Sequence, residues 1–157
     1  MDAASEILLA HIIRTTRIAS LATLRDESPR VSMVAFVPAD DFSAFYLFLS
    51  RLAQHTTDLG KSKYMSLLIA ETDDGRDDPQ TLARVSIRGK AEVIPVGEPG
   101  FTPIKETYLE KFPTAKQLLK LTDFHFWKIT PNGGRFVAGF AKAYNITRDT
   151  LIKVSSR

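Results

Sequence analysis

The chain has 157 residues, of which 44% are hydrophobic and 25% are charged. This length and balance are typical of one globular domain that buries its own core, and we expect a single domain over residues 1–157. No residue is a cysteine, which excludes disulfides, thiolate metal sites and a cysteine nucleophile.

The distribution of charge and hydropathy excludes two further classes of protein. The formal net charge is +3, and the basic residues are spread along the chain, which suits a small anionic ligand better than nucleic acid. No apolar run approaches the roughly 20 residues of a membrane span, and residues 1–6 lack the basic start of a signal peptide. We therefore expect a cytoplasmic protein that binds neither nucleic acid nor membrane.

A helix followed by a β-hairpin is predicted at the start of the chain. Asp2 can cap a helix over residues 1–16, with Leu8 and Ile12 in its apolar stripe. From Ile18 the hydrophobic period changes to two, so residues 18–24 and 31–37 are predicted strands around a polar turn at residues 25–29. Residues 45–49 are apolar on both faces, which is typical of a central strand.

The stretch from Leu47 to Ile69 contains the most suggestive polar residues of the chain. Two apolar runs enclose a polar connection, with a short helix predicted between Leu52 and Gly60. The connection carries hydroxyl groups, His55 and the cation Arg51, a combination that can cradle an anionic group where a strand leads into a helix. The alternative is an ordinary solvated connection.

The second half of the chain is predicted to form strands around a helical insertion. Residues 84–94 alternate strictly, with Arg84 on the polar face and Gly89 at a bulge or barrel bend. Helices are predicted over residues 102–112 and 114–121. Strands over residues 124–129 and 135–144 are separated by a predicted hairpin turn at residues 131–134, and residues 148–157 are predicted to be a polar tail.

About seven strands joined largely by short turns favour a mainly β fold, namely an antiparallel barrel with peripheral helices. No nucleophile elbow, dinucleotide fingerprint or P-loop occurs. No metal site is predicted, because His11, His55 and His125 fall on three separate elements. Any chemistry is therefore expected to come from a cofactor.

Several motifs, in this order and spacing, resemble the pyridoxamine 5′-phosphate oxidase-like, FMN-binding split-barrel family. Within that family the chain is most similar to the haem-utilisation proteins of the HugZ/HutZ type. The motifs are Ala19-Ser20-Leu21-Ala22-Thr23-Leu24, Pro29-Arg30-Val31-Ser32-Met33-Val34, Leu47-Phe48-Leu49-Ser50-x-Leu52-Ala53-x-His55-Thr56, Ser66-Leu67-Leu68-Ile69, Arg84-x-Ser86-Ile87-x-Gly89 and Gly139-Phe140-Ala141.

The resemblance implies a six- or seven-stranded split barrel that forms a homodimer, with FMN held at the interface and an oxidoreductase activity on a small-molecule substrate that the sequence does not identify. The homodimer is also expected from aromatic residues that look exposed, namely Phe126, Phe136 and Phe140. The cofactor-binding residues implied by the resemblance are Arg30, Val31, Ser32, Met33, Ser50, Arg51, His55, Thr56 and Arg84, with Gly139 and Phe140 contributed by the partner.

Two alternatives to FMN remain open. One is a haem-binding or haem-degrading protein that uses the same interface pocket, with His55 and His125 as the candidate ligands. Gln54 and His55 stand where FMN oxidases of this fold commonly carry an Arg-Lys pair, and no histidine lies near the C-terminus, where haem-binding relatives use one. The other alternative is a dimeric scaffold whose site is vestigial.

Overall fold

The computed structural model describes all 157 residues as eight strands, four α-helices and two 3₁₀ segments. The elements in chain order are α1 (Ala3–Thr15), β1 (Ile18–Arg25), β2 (Ser28–Ala35), β3 (Val37–Pro38), β4 (Phe45–Ser50), α2 (Gln54–Lys61), β5 (Tyr64–Ala70), a 3₁₀ turn (Pro79–Thr81), β6 (Arg84–Ile94), α3 (Phe101–Lys111), a 3₁₀ segment (Pro113–Lys120), β7 (Phe124–Gly139), β8 (Lys142–Ile146) and α4 (Arg148–Val154).

The strands form one antiparallel sheet in the order β2-β1-β5-β6-β7-β4-β3, and β8 adds to β7. The far ends of this order approach each other where β2 lies near β4, so the sheet curls into a barrel that is split along one side. The predicted antiparallel split barrel with peripheral helices is confirmed. None of the helices combines the length and the apolar content that crossing a bilayer requires.

The first hairpin is tight and leaves β2 at the edge of the sheet. Asp26 and Glu27 both adopt positive φ values, 47° and 65°, which is the conformation of a two-residue turn matched to the twist of its strands. The register pairs Leu21 with Ser32, so even-numbered residues of β2 share the inner face with Leu21, whereas Val31 and Met33 face outward. On the inner face of β2, Arg30 and Ser32 thus precede the buried Val34, whereas the apolar Val31 and Met33 lie on the outer face.

The hairpin turn predicted at residues 131–134 is wrong, because β7 runs without a break from Phe124 to Gly139 and pairs with β6 along its length. The glycines serve close packing of the two backbones: a Cβ at Gly134 would lie 2.1 Å from the carbonyl oxygen of Ser86. A register shift between Arg88 and Gly89 confirms the irregularity predicted at Gly89. The chain reverses later, at Phe140 and Ala141.

The prediction of a polar tail over residues 148–157 is also wrong, because this segment contains α4. The Thr147 side chain accepts a hydrogen bond from the backbone N–H of Thr150, which caps the helix. Leu151 and Val154 lie three residues apart on one face and are fully buried. The second helix predicted after Pro113 is a 3₁₀ segment.

The apolar side chains form two clusters on opposite sides of β4 and β7. The larger fills the barrel and extends to α1 and α4, and the smaller lies beneath α3 and the 3₁₀ segment that follows it. The prediction that Phe126 and Phe136 are exposed is wrong, since Phe126 stacks on Phe48 in the smaller cluster and Phe136 lies in the barrel core. Phe140, by contrast, is 85% exposed.

Candidate functional site

Arg30, Ser32 and His55 are the predicted site residues that come together where α2 crosses the inner face of β2. α2 packs against β1 and β2, and its Leu59 is buried in the barrel core, which fixes the helix across this end of the barrel. Arg30 and Ser32 lie on the face of β2 that looks towards α2, while Val31 and Met33 lie on the opposite face. The four consecutive residues predicted on this strand are therefore divided between two surfaces.

The most specific contact of the site joins Ser32 and His55. The Ser32 hydroxyl and His55 Nδ1 are 3.1 Å apart and share a hydrogen bond between β2 and α2. His55 Nε2 makes no hydrogen bond within the chain. Burial lowers the pKa of His55, and the nearby Asp58 carboxylate offsets part of this effect. The ring is thus neutral at pH 7, orientated through one nitrogen and free at the other.

Asp58 anchors α2 to the barrel, a role that the sequence analysis missed. Its carboxylate accepts hydrogen bonds from Arg25 Nε at 2.6 Å and from Thr23 Oγ1 at 3.1 Å. Burial opposes ionisation, but these bonds and the charges of Arg25 and Arg30 outweigh it and lower the pKa of Asp58. The available signal was an acid one helical turn after His55 on the same face of the helix.

Ser50 and Arg51 lie at the end of β4, where the chain turns towards α2. Ser50 Oγ donates a hydrogen bond of 2.6 Å to Asp123 Oδ2 and accepts one from the backbone N–H of Leu52. The backbone N–H of Arg51 donates to the carbonyl oxygen of Asp123, whereas its side chain projects into solvent. Ser50 therefore shapes the turn before α2, and Arg51 carries the exposed positive charge of this turn.

Thr56 supplies a buried polar atom without a partner. Its Oγ1 makes no hydrogen bond, although the residue is only 7% exposed. It lies in the first turn of α2, where Ala53 occupies the N-cap and provides no side-chain acceptor. Such an atom usually has a partner in a folded protein, so the beginning of α2 has hydrogen-bonding capacity that the chain itself leaves unused.

Three predicted site residues lie elsewhere in the single chain. Arg84 pairs with Val137 near the end of β7, whereas Ser50 pairs with Phe124 at its beginning. Arg84 Nη1 donates to the carbonyl oxygens of Gln80 and Leu82. Gly139, with φ of +131°, and Phe140 lie beside this end of β6 at the β7–β8 turn. One chain therefore does not bring these three residues to α2.

An apolar surface covers the outside of β1, β2 and β5. We call it the outer apolar face, and each of its large side chains is between 42% and 72% exposed. The residues between them, Ser20, Ala22 and Ser66, are small. A patch of this kind on a soluble domain usually marks an interaction site. Its members are Ile18, Leu24, Val31, Met33, Tyr64 and Leu68.

The fold and this arrangement around β2 and α2 define a split-barrel protein of the pyridoxamine 5′-phosphate oxidase-like class. A family model described as Pyridoxamine 5'-phosphate oxidase matches residues 8–138, and the chain belongs to this family. The family resemblance drawn from the sequence, including its haem-utilisation branch, is confirmed.

Two curated relatives carry names that refer to haem. The chain is 36% identical over 116 residues to the Non-canonical heme oxygenase HOZ, chloroplastic, of Arabidopsis thaliana, covering 74% of this chain and 34% of that protein. It is 23% identical over 125 residues to Heme oxygenase HutZ of Vibrio cholerae, covering 79% and 70%. The chain thus spans about a third of the first relative's length.

A solved structure extends this likeness over almost the whole chain. The structure of a heme binding protein from Mycobacterium smegmatis superposes with a TM-score of 0.84 at 26% identity. The alignment covers 98% of this chain and 61% of that protein.

Proposed function

We propose that this chain is a haem-binding split-barrel protein and that it takes part in oxidative haem degradation. The observation that carries the proposal is the state of His55, a neutral imidazole held through Nδ1 by Ser32 with Nε2 free. Metal-ligating histidines have this arrangement, in which a hydrogen bond at one nitrogen fixes the ring and its tautomer for coordination through the other. The names of the curated relatives support the same ligand.

The residues around β2 fit a haem group in two respects. His55 would hold the iron, and Arg30 and Arg51 offer cations to the carboxylates of the porphyrin. Haem supplies iron that binds O₂ and passes electrons. The chain's own part is to fix the imidazole through Ser32 and to hold α2 in place through Asp58.

We further propose that the site is completed in a homodimer. His55 lies on the inner side of β2, the outer apolar face lies on the other side, and β2 is an edge strand of the sheet. A second copy packed on the outer apolar face would bury this face and place its own residues near the edge of β2 beside His55. Gly139 and Phe140, which are remote from α2 in one chain, would then be contributed by the partner.

A haemin titration tests the proposal directly. The wild-type chain is expected to give a Soret band with a defined stoichiometry, and His55→Ala is expected to lower the affinity at least about tenfold because the iron loses its imidazole. His11→Ala, on the exposed side of α1, is the matched control and should bind as wild type. Equal affinity in all three proteins would exclude His55 as the ligand. In the wild type, loss of the Soret band with ascorbate and O₂ measures degradation.

FMN is the second candidate ligand, and Thr56 favours it. A phosphate at the first turn of α2 would give the buried Oγ1 a partner and would meet the unpaired N–H groups of the helix N-terminus. Arg51 would contribute positive charge to the phosphate. Arg84 lies away from α2 in the single chain and does not reach this position.

Titration with FMN separates the two candidates. If FMN is the ligand, its fluorescence is expected to be quenched by the wild type and less so by the Arg51→Ala, Arg84→Ala double variant. The haem proposal is overturned if FMN binds in this way and haemin gives no Soret band. Binding of haemin without any response to FMN leaves haem as the ligand of this site.

A further inference from the structure

Lys111, the last residue of α3, lies in an unusual environment for a lysine. Its Nζ donates a hydrogen bond of 2.8 Å to the carbonyl oxygen of Thr16, just after α1. The same atom lies 4.7 Å from the centre of the Phe36 ring and 5.9 Å from that of Phe112. The amine is thus held between two aromatic rings and a backbone carbonyl.

The charges around Lys111 do not compensate its own. Arg17, which follows α1, is stacked over the Phe112 ring at 5.2 Å and its charge acts on Lys111, whereas Arg14 lines the same groove while its guanidinium donates to the carbonyl oxygens of Ser155 and Arg157. Glu110 of α3 and Asp40 of the β3–β4 turn line the same groove, but neither forms an ion pair with Lys111. Burial, together with the charge of Arg17, lowers the pKa of Lys111 to about 8.

Solvent reaches this environment through an open groove. The groove has a volume of about 210 Å³, and its walls include Arg14, Pro38, Thr107 and Lys111. A desolvated lysine beside another cation is the general arrangement by which proteins obtain a neutral, nucleophilic amine. Arg14, which donates hydrogen bonds to the carbonyl oxygens of Ser155 and Arg157 and lies over the Phe42 ring, has no carboxylate partner, so its positive charge at the wall of the groove can attract an anionic reagent.

We propose that Lys111 is a site of acylation by small acyl phosphates. The lone pair of the neutral amine attacks the acyl carbon, an N–C bond forms, and the bond from this carbon to the phosphate oxygen breaks. The electron pair leaves with the phosphate, and the proton released from nitrogen is taken up by it. With acetyl phosphate the products are N-acetyl-lysine and hydrogen phosphate, and no oxidant or reductant is consumed.

Acylation at this position changes the contact between α1 and α3. The amide retains one N–H, which can still donate to the Thr16 carbonyl. The positive charge over the Phe36 and Phe112 rings is lost, and with it the cation–π attraction between the end of α3 and Phe36 of the barrel core. The modification therefore loosens one connection between the barrel core and the smaller cluster.

The test is the rate of acetylation of each lysine in the full chain with acetyl phosphate, followed by peptide mass spectrometry. At pH 7.5 about a quarter of amines with a pKa near 8 are neutral, against about 0.1% of free lysine side chains. We expect Lys111 to react at least about tenfold faster than Lys105 on the same helix. Its rate should level off above pH 8, whereas a free lysine derivative in the same tube gains rate up to pH 10. Equal rates for Lys111 and Lys105, or the pH profile of the free derivative, would overturn the proposal.

A second comparison tests the class of acyl donor. Arg14→Gln is expected to slow acetylation of Lys111 by acetyl phosphate several-fold and to leave the reaction with the uncharged p-nitrophenyl acetate unchanged. Equal slowing with both donors would reject the role of Arg14 in attracting an anion. Lys111→Arg keeps the charge and serves as the control for assigning the modified peptide. The wild-type rates are decisive even if a variant folds poorly.

Discussion

His55 shows how one hydrogen bond can prepare a side chain for a ligand. Ser32 fixes the ring through Nδ1, and partial burial keeps it neutral by lowering its pKa. Because burial lowers the pKa of His55, protonation competes with a ligand at Nε2 at a lower pH than it would at a free histidine. Asp58 acts on His55 only indirectly: it accepts hydrogen bonds from Arg25 and Thr23 of β1 and so holds α2 in position.

Replacing Ser32 tests this orientating role. Ser32→Ala is expected to lower haemin affinity about tenfold, because partners of ligating histidines typically contribute 10–100-fold. The ring remains present but loses its fixed orientation. Ser28→Ala on the same strand, whose side chain has no hydrogen bond within the chain, is the matched control. The comparison is made by titration at pH 7, and an unchanged affinity in Ser32→Ala would mean that its hydrogen bond does not orientate His55.

At the scale of the elements, β6 and β7 form the longest pairing of the barrel, and glycine permits it. Gly134 faces the Ser86 carbonyl so closely that no side chain fits, whereas nothing lies within 4 Å of a Cβ built on Gly60 of α2. Close packing of the backbones therefore requires glycine at position 134, whereas position 60 has room for a side chain.

The substitutions Gly134→Ala and Gly60→Ala test this difference in packing around the two glycines. Gly134→Ala is expected to reduce the free energy of unfolding by more than about 2 kcal/mol through backbone overpacking. Gly60→Ala should raise it by up to about 1 kcal/mol, because alanine favours the helix. Urea denaturation measures both. A harmless Gly134→Ala would contradict the continuous β6–β7 ladder described above.

The packing of α4 is tested by two neighbouring residues. Leu151→Ala is expected to cost about 2–4 kcal/mol in the free energy of unfolding, because the side chain is fully buried in the main core. Ile152→Ala is the matched control, since its side chain is 37% exposed, and its cost should stay well below that of Leu151→Ala. Similar small effects from both changes would mean that α4 contributes little to the core.

For the whole molecule, the outer apolar face is the feature that a single chain does not explain. Six large apolar side chains stay exposed on one side of β1, β2 and β5. On their other side, the same three strands contribute buried residues to the barrel core. Burying this face against a second copy would remove it from water and bring the β7–β8 turn of one chain towards a site of the other.

The proposed homodimer leads to a prediction about Met33. Light scattering at micromolar concentration is expected to give twice the mass of the chain for the wild type and a monomer for Met33→Glu, because a charge in an apolar interface stays unpaired. Ile7→Glu, at a side chain of α1 that is 58% exposed, is the control and should remain dimeric. A monomeric wild type would contradict both the dimer and the shared site.

Local sequence pattern was enough to predict much of this fold. Asp2 caps α1 as predicted, the alternation of β6 places Arg84 outward, and the family motifs identified the split barrel. These features depend on side-chain spacing and capping chemistry within a few residues. The stretch from Leu47 to Ile69 likewise contained His55, although its neighbours in sequence did not reveal Ser32 as its partner.

Tertiary structure decided what depends on distant segments of the chain. The motif at residues 131–134 has turn-forming residues, yet the backbone of β6 passes so close that it requires glycine within a strand. Residues 148–157 appear polar in isolation, and only the barrel core shows why Leu151 and Val154 form a buried helix face. Sequence alone therefore determined the class of fold and the position of His55. Contacts between strands and helices determined its orientation, because the hydrogen bond that holds the ring joins two elements whose proximity no local pattern encodes.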